Sequence, residues 1–159
     1  MENTMIKVKS ASDWTLVVSV PYLSLHRTWN KRGQIHLIDR QTMVQAYYDA
    51  AVESLVSKGA LIIEDVEFLR TVGLLDEETQ KSVVYELTDA MKTRLIKTMP
   101  LAEVKIELTK MSPLQISEVA DYAITNYMEL KMDRIDLLSK VSGKNIMKAI
   151  ELYRATQEG

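Results

Sequence analysis

Two side chains in this sequence could carry proton or metal chemistry near neutral pH, His26 and His36. Asn30-Lys31-Arg32-Gly33 lies between them and has the composition of a tight turn. A hairpin closed there sets Trp29 opposite Gln34, Arg27 opposite His36 and His26 opposite Leu37. The two imidazoles then point to opposite faces of the ladder. A one-residue bulge would bring them side by side. The unbulged register is the simpler one, and it predicts two separate strand histidines with no metal pair.

Other reactive constellations are missing. With no cysteine, the chain offers no disulfide, thiolate zinc site, iron–sulfur cluster or cysteine nucleophile. Five scattered glycines spell neither a phosphate-binding loop nor a dinucleotide fingerprint. No Gly-x-Ser-x-Gly elbow occurs. Asp76-Glu77-Glu78 and the pair Asp133/Asp136 could contribute carboxylates to a cation, but each lacks a converging third ligand. They read as solvated loop or helix-start acids, where negative charge complements the helix dipole. The expectation is a protein that is not an enzyme and uses no cofactor, metal or small-molecule substrate.

Charge narrows the partners. Twenty basic and 22 acidic residues are spread evenly, seven and seven over residues 1–65 and thirteen and fifteen over residues 66–159. No block of five like charges exists, and phosphate-driven binding needs clustered cations. Lys140, Lys144, Lys148 and Arg154 around Ser142-Gly143 give a superficial helix-turn-helix. Ile146, Ile150 and Tyr153 form a stripe that must be buried there, so the mixed charge argues against nucleic acid. The most apolar stretch, Trp14 to Val20, is seven residues long, against the roughly 20 that span a bilayer. Neither membrane association nor a signal peptide is expected.

The elements that must position any surface read as α+β. Ile6 to Lys9 alternates like a half-buried strand, Trp14 to Trp29 is β-rich but broken at Pro21, and Gln34 to Ile38 is a further strand. Asp39 caps one helix, with Val44, Tyr47, Tyr48, Ala51, Val52 and Leu55 as its stripe and Gly59 at its end. Ala60 to Ile63 returns to the sheet. These make a small antiparallel domain over residues 1–65. Val66 to Val72, ended by Gly73, and the acidic loop fill a connector over 66–80. Residues 81–159 read as a bundle of about five short helices. Its first stripe is Val83, Leu87, Met91 and Leu95, and Pro100 opens the next helix at its first turn. A second stripe is Leu101, Val104, Leu108 and Met111. Ser112-Pro113-Leu114-Gln115 spells a capping box.

Aromatic residues point to protein contact. Tyr22, Arg27 and Trp29 share the β segment, and exposed aromatics beside arginine are enriched at interfaces. These three are the candidate partner anchors, with Trp14 assigned to the core; the alternative is that Trp14 and Trp29 together form the core of the small domain. Short strands also leave edges that a partner strand can extend. Pro21 discourages this locally, whereas Ile6 to Lys9 and Gln34 to Ile38 carry no such block.

Several segments together resemble small proteins of tailed bacteriophages. They are His26-Arg27-Thr28-Trp29 with Gly33, Val52 to Leu55, Lys58-Gly59-Ala60-Leu61-Ile62-Ile63-Glu64-Asp65, and Phe68 to Leu74. Met99 to Glu103, Leu114 to Ile124 and Val141 to Leu152 complete the set. The resemblance implies a virion component, capsid-associated or a head–tail accessory, made in the host bacterial cytoplasm. Its partners would be other virion proteins, or copies of itself as a homo-oligomer. The alternatives are a phage protein that binds and inhibits a host factor such as a defence system, and a DNA-binding regulatory protein.

Overall fold

The computed structural model describes residues 4–158, and the chain divides into two compact units, Met1–Glu86 and Leu87–Gly159. The architecture is α+β, with small antiparallel sheets followed by a helical region. In the first unit, β1 (Met5–Ser10) lies between β4 (Ile35–Asp39) and β5 (Leu61–Ile62). Ile6, Val8 and Ser10 are buried while Met5 and Lys7 are exposed, the two-residue period of a one-sided strand. β2 (Leu16–Val20) and β3 (Leu25–Trp29) form a separate ladder, joined by a 3-10 turn at Pro21–Leu23. Ser24 closes that turn in the left-handed region, φ 54°. Pro21 thus ends β2, because its fixed φ suits the turn and it has no N–H for the ladder.

The expected hairpin between Trp29 and Gln34 does not form. Trp29 pairs with Leu16, Arg27 with Val18 and His26 with Ser19, while His36 pairs with Val8 and Leu37 with Lys7. β5 pairs with β1 only at Lys9 and Ser10, so Lys9 lies between two strands while Ile6 to Val8 pair with β4 alone among the described residues. The turn at residues 30–33 instead carries the chain from one sheet to the other. Gly33 makes this possible at φ +87°, where its N–H donates to Ser10 O at 2.8 Å.

The single covering helix is two. α1 (Arg40–Tyr47) is capped by Asp39, whose carboxylate accepts from Thr42 N–H at 3.1 Å. A second cap, Asp49, accepts from Ala51 N–H at 3.0 Å and starts α2 (Ala50–Ser57). The break rotates the buried face onto Met43, Ala46, Val52 and Val56, leaving Tyr48 and Ala51 exposed. α3 (Val66–Val72) follows, ended by Gly73 at φ 82°, and a short hairpin of β6 (Leu75–Asp76) and β7 (Lys81–Ser82) holds the acidic turn.

The second unit contains α4 (Asp89–Lys97), α5 (Leu101–Thr109), α6 (Pro113–Thr125), α7 (Met132–Ser142) and α8 (Ile146–Glu158) among the described residues. The helix expected from Val83 begins only at Asp89, because the Thr88 hydroxyl accepts from Met91 N–H at 3.1 Å and fixes the start. Pro100 is the N-cap of α5, not its first helical residue. The capping box is present: Ser112 Oγ accepts from Gln115 N–H, and Gln115 Oε1 accepts from Ser112 N–H. Val119, Ala120 and Ala123 on α6, Ile135 and Leu138 on α7, and Ile146 and Ile150 on α8 are buried. Buried Arg134 donates from its guanidinium to Leu95 O at 2.6 Å and to Met99 O, closing the C-terminal end of α4.

Candidate protein-contact surface

The three predicted anchors do not form a surface. Trp29 is fully buried, and its indole Nε1 donates to Val8 O at 2.9 Å, so it joins the inner faces of the two sheets. Arg27 does share a strand face with Trp29, but that face is the inner one. Arg27 is half-buried, and its guanidinium folds back to His26 O at 2.8 Å. Tyr22 is 74% exposed on the Pro21 turn. Trp14, expected in the core, is 44% exposed because it lies before β2 begins, outside the ladder that encloses Trp29. The roles of the two tryptophans are the reverse of those expected.

His36 belongs to the inner layer. Its Nε2 lies 2.7 Å from Thr28 O, and its ring meets Trp29 edge-on at 4.9 Å. His26 is exposed on β3. Among the described residues no group of three or more His, Asp or Glu is placed to hold a metal ion.

An exposed apolar face does exist on the outside of the β4–β1–β5 sheet. Strand alternation sends Met5, Lys7 and Lys9 outward from β1, and register places Leu37 opposite Lys7 and Ile35 opposite Lys9. Met5, Ile35 and Leu37 are 52%, 47% and 53% exposed. An open groove of about 420 Å³ runs across this face, lined by Met5, Lys7, Lys9, Ile35, Ile62 and Glu64. Lys9 Nζ is held by Glu86 Oε1 at 2.5 Å, which leaves Lys7 the more open of the two cations. The inner side of the same sheet is filled, and these aliphatic side chains remain about half exposed among the described residues.

The floor of this region is fixed by an ion pair. Arg40, first residue of α1, donates from Nε and Nη2 to the two carboxylate oxygens of Asp65 at 2.7 and 2.8 Å. Asp65 also caps α3 by accepting from Phe68 N–H at 2.9 Å. The bonded Arg40 guanidinium holds the Asp65 carboxyl below the usual aspartate range, against an opposing push from burial, and Asp65 in turn raises Arg40. Burial raises the Tyr47 hydroxyl nearby.

Sequence reading identified the β4 segment as an open edge but missed Met5, Ile35 and Leu37 as a face. The signal was present in Ile35-His36-Leu37-Ile38, where apolar residues occupy both faces of a strand. One face fills the core, and the other must be covered by something else or stay wet.

A second groove, of about 760 Å³, lies in the helical unit between Lys97, Tyr127, Met128, Tyr153 and Gln157. Tyr127 and Tyr153 meet edge-on at 6.2 Å, with the Arg154 guanidinium 5.7 Å from the Tyr127 ring centre. No helix among the described residues is long and apolar enough to cross a membrane. No family model matches the chain, and neither a curated protein nor a solved structure does.

Proposed function

We propose that this chain acts by protein–protein contact, as a structural component of a bacteriophage particle, capsid-associated or a head–tail accessory. The observation that carries the contact reading is the outer sheet face, where Met5, Ile35 and Leu37 are about half exposed on a sheet whose other side is filled. A patch of aliphatic side chains on a rigid sheet gains by excluding water against another surface, and isolated exposed aliphatics would not. The particle setting draws its support from the resemblance of segments such as His26 to Trp29 and Val141 to Leu152 to small tailed-phage proteins. In this reading the chain's partners are other virion proteins or its own copies, and it performs no catalysis.

Quantitative mass spectrometry of purified virions tests the reading. A structural component is present at fixed stoichiometry, and Leu37→Lys removes it from the particle while the variant stays folded. Trace amounts in virions, with the chain abundant in infected cells, would sink the structural role and favour an inhibitor of a host factor.

A further inference from the structure

The exposed edge of β4 carries a hydrogen-bonding register that matches itself. In the β1–β4 ladder Arg40 N–H donates to Thr4 O at 2.7 Å and Ser10 N–H to Gln34 O at 2.9 Å. Ile6 opposite Ile38 and Val8 opposite His36 lie between those bonds. Antiparallel ladders alternate bonded and non-bonded pairs, so the even-numbered residues of β4 turn their main-chain groups toward β1. The N–H and C=O groups of Ile35 and Leu37 therefore point across the outer edge, where no further strand is paired among the described residues. β4 has no proline, glycine or lysine, the residues that ordinarily protect an edge.

We propose that this edge pairs antiparallel with the same edge of a second copy of the chain, about a two-fold axis at His36. The proposal rests on the protein-contact reading above and names a partner for it. In this register Ile35 faces Leu37 of the second copy and Leu37 faces its Ile35. Both are bonded positions, so four main-chain hydrogen bonds close, and the outer face gains a cluster of four aliphatic side chains. The neighbouring registers of the same parity are poorer. An axis at Leu37 sets Ile35 against Asp39, whose carboxylate already caps α1. An axis at Ile35 sets Leu37 against Gly33, which has left strand geometry. His36 stays turned inward to Thr28 O in each copy. A single-strand edge is small beside the roughly 800 Å² per partner of a stable interface, so the pairing is weak in free solution and accumulates where copies are arrayed.

Engineered thiols read this register directly, because the chain has no cysteine of its own. Full-length Ile35→Cys and Leu37→Cys, distinguished by mass label, are mixed in a thiol–disulfide buffer and their cross-linked products counted. The proposed register sets the mixed pair about 5.5 Å apart between Cα atoms, within disulfide range, and like residues about 7–8 Å apart, at or beyond it. The mixed disulfide is therefore expected to form roughly tenfold faster than either homodimer. Comparable rates for all three products, or rates no higher than those of Val17→Cys on the other sheet, would overturn the pairing. Circular dichroism and melting of each variant check that the fold is kept, and adding Leu37→Lys to the Ile35→Cys chain should slow its mixed cross-linking with Leu37→Cys to the rate of Val17→Cys. Loss of Leu37→Lys from virions without register-specific cross-linking would discard self-pairing and keep the contact reading. Specific cross-linking of a chain absent from virions would keep self-pairing and discard the virion role.

Discussion

The indole Nε1 of Trp29 donates a hydrogen bond to the main-chain oxygen of Val8 at 2.9 Å, across the inside of the first unit. Both residues are fully buried, and they belong to different sheets. A side-chain bond to the central strand of the opposite layer fixes how the two ladders pack, where apolar contact alone would tolerate sliding. Trp29 is therefore a structural pin.

Replacing that pin separates its two contributions. Trp29→Phe keeps most of the apolar volume and removes the indole donor, while Val8 O keeps the His36 N–H of the ladder, so the expected loss is about 1 kcal/mol. Trp29→Ala adds a cavity and should cost about 3–5 kcal/mol. Urea denaturation measures both. No loss in Trp29→Phe would show that the hydrogen bond contributes nothing, and equal losses in the two variants would show the same of the ring's volume.

Sequence reading succeeded where a decision was local. The alternation of Ile6 and Val8, the Gly73 stop after α3 and the Ser112–Gln115 box each involve neighbours a few residues apart. It failed where partners are distant. Turn chemistry at Asn30 to Gly33 suggested a hairpin, yet β3 pairs back to β2 and β4 pairs to β1. Which tryptophan is buried depends on that pairing, so Trp14 and Trp29 were exchanged. Helical spacing also overran the caps: Val83 fits the stripe of α4, but Thr88 starts the helix. The outer face of β4 was legible only as an open edge, because exposure of Ile35 and Leu37 requires knowing which side is filled.

Arg134 provides a prediction for the second unit. It donates to Leu95 O and Met99 O, while its Nε has no hydrogen-bond partner among the described residues. Arg134→Ala strips both acceptors of a charged donor and should destabilise by about 3 kcal/mol. Arg134→Lys keeps the charge but not the planar fork, so it should recover only part of the loss. Full recovery by lysine in a thermal melt would contradict a two-carbonyl clamp.

The capping box gives a smaller and cleaner effect. Ser112→Ala removes the acceptor for Gln115 N–H and should cost about 1 kcal/mol, and Ser112→Asp should restore most of it. Chemical denaturation with an unchanged m-value would assign the change to the cap.

The last prediction concerns acid stability and rests on Asp65. Arg40 bonds both of its carboxylate oxygens, and Phe68 N–H bonds one of them. These partners favour the charged form, so the folded carboxyl titrates below its unfolded value. A group depressed in this way contributes its full stabilisation above the unfolded value and loses it as the pH falls through the folded one. Asp65→Asn keeps an oxygen able to cap α3 but removes the titrating charge. The stability gap between wild type and Asp65→Asn should stay level from about pH 7 to about pH 5 and close progressively below about pH 4. Arg40→Met should flatten the same acid limb, since Arg40 is the main cause of the shift. Equilibrium unfolding across that range at constant ionic strength decides the matter. A gap that stays level to the lowest pH would mean that Asp65 supports the fold through its cap geometry and not through its charge.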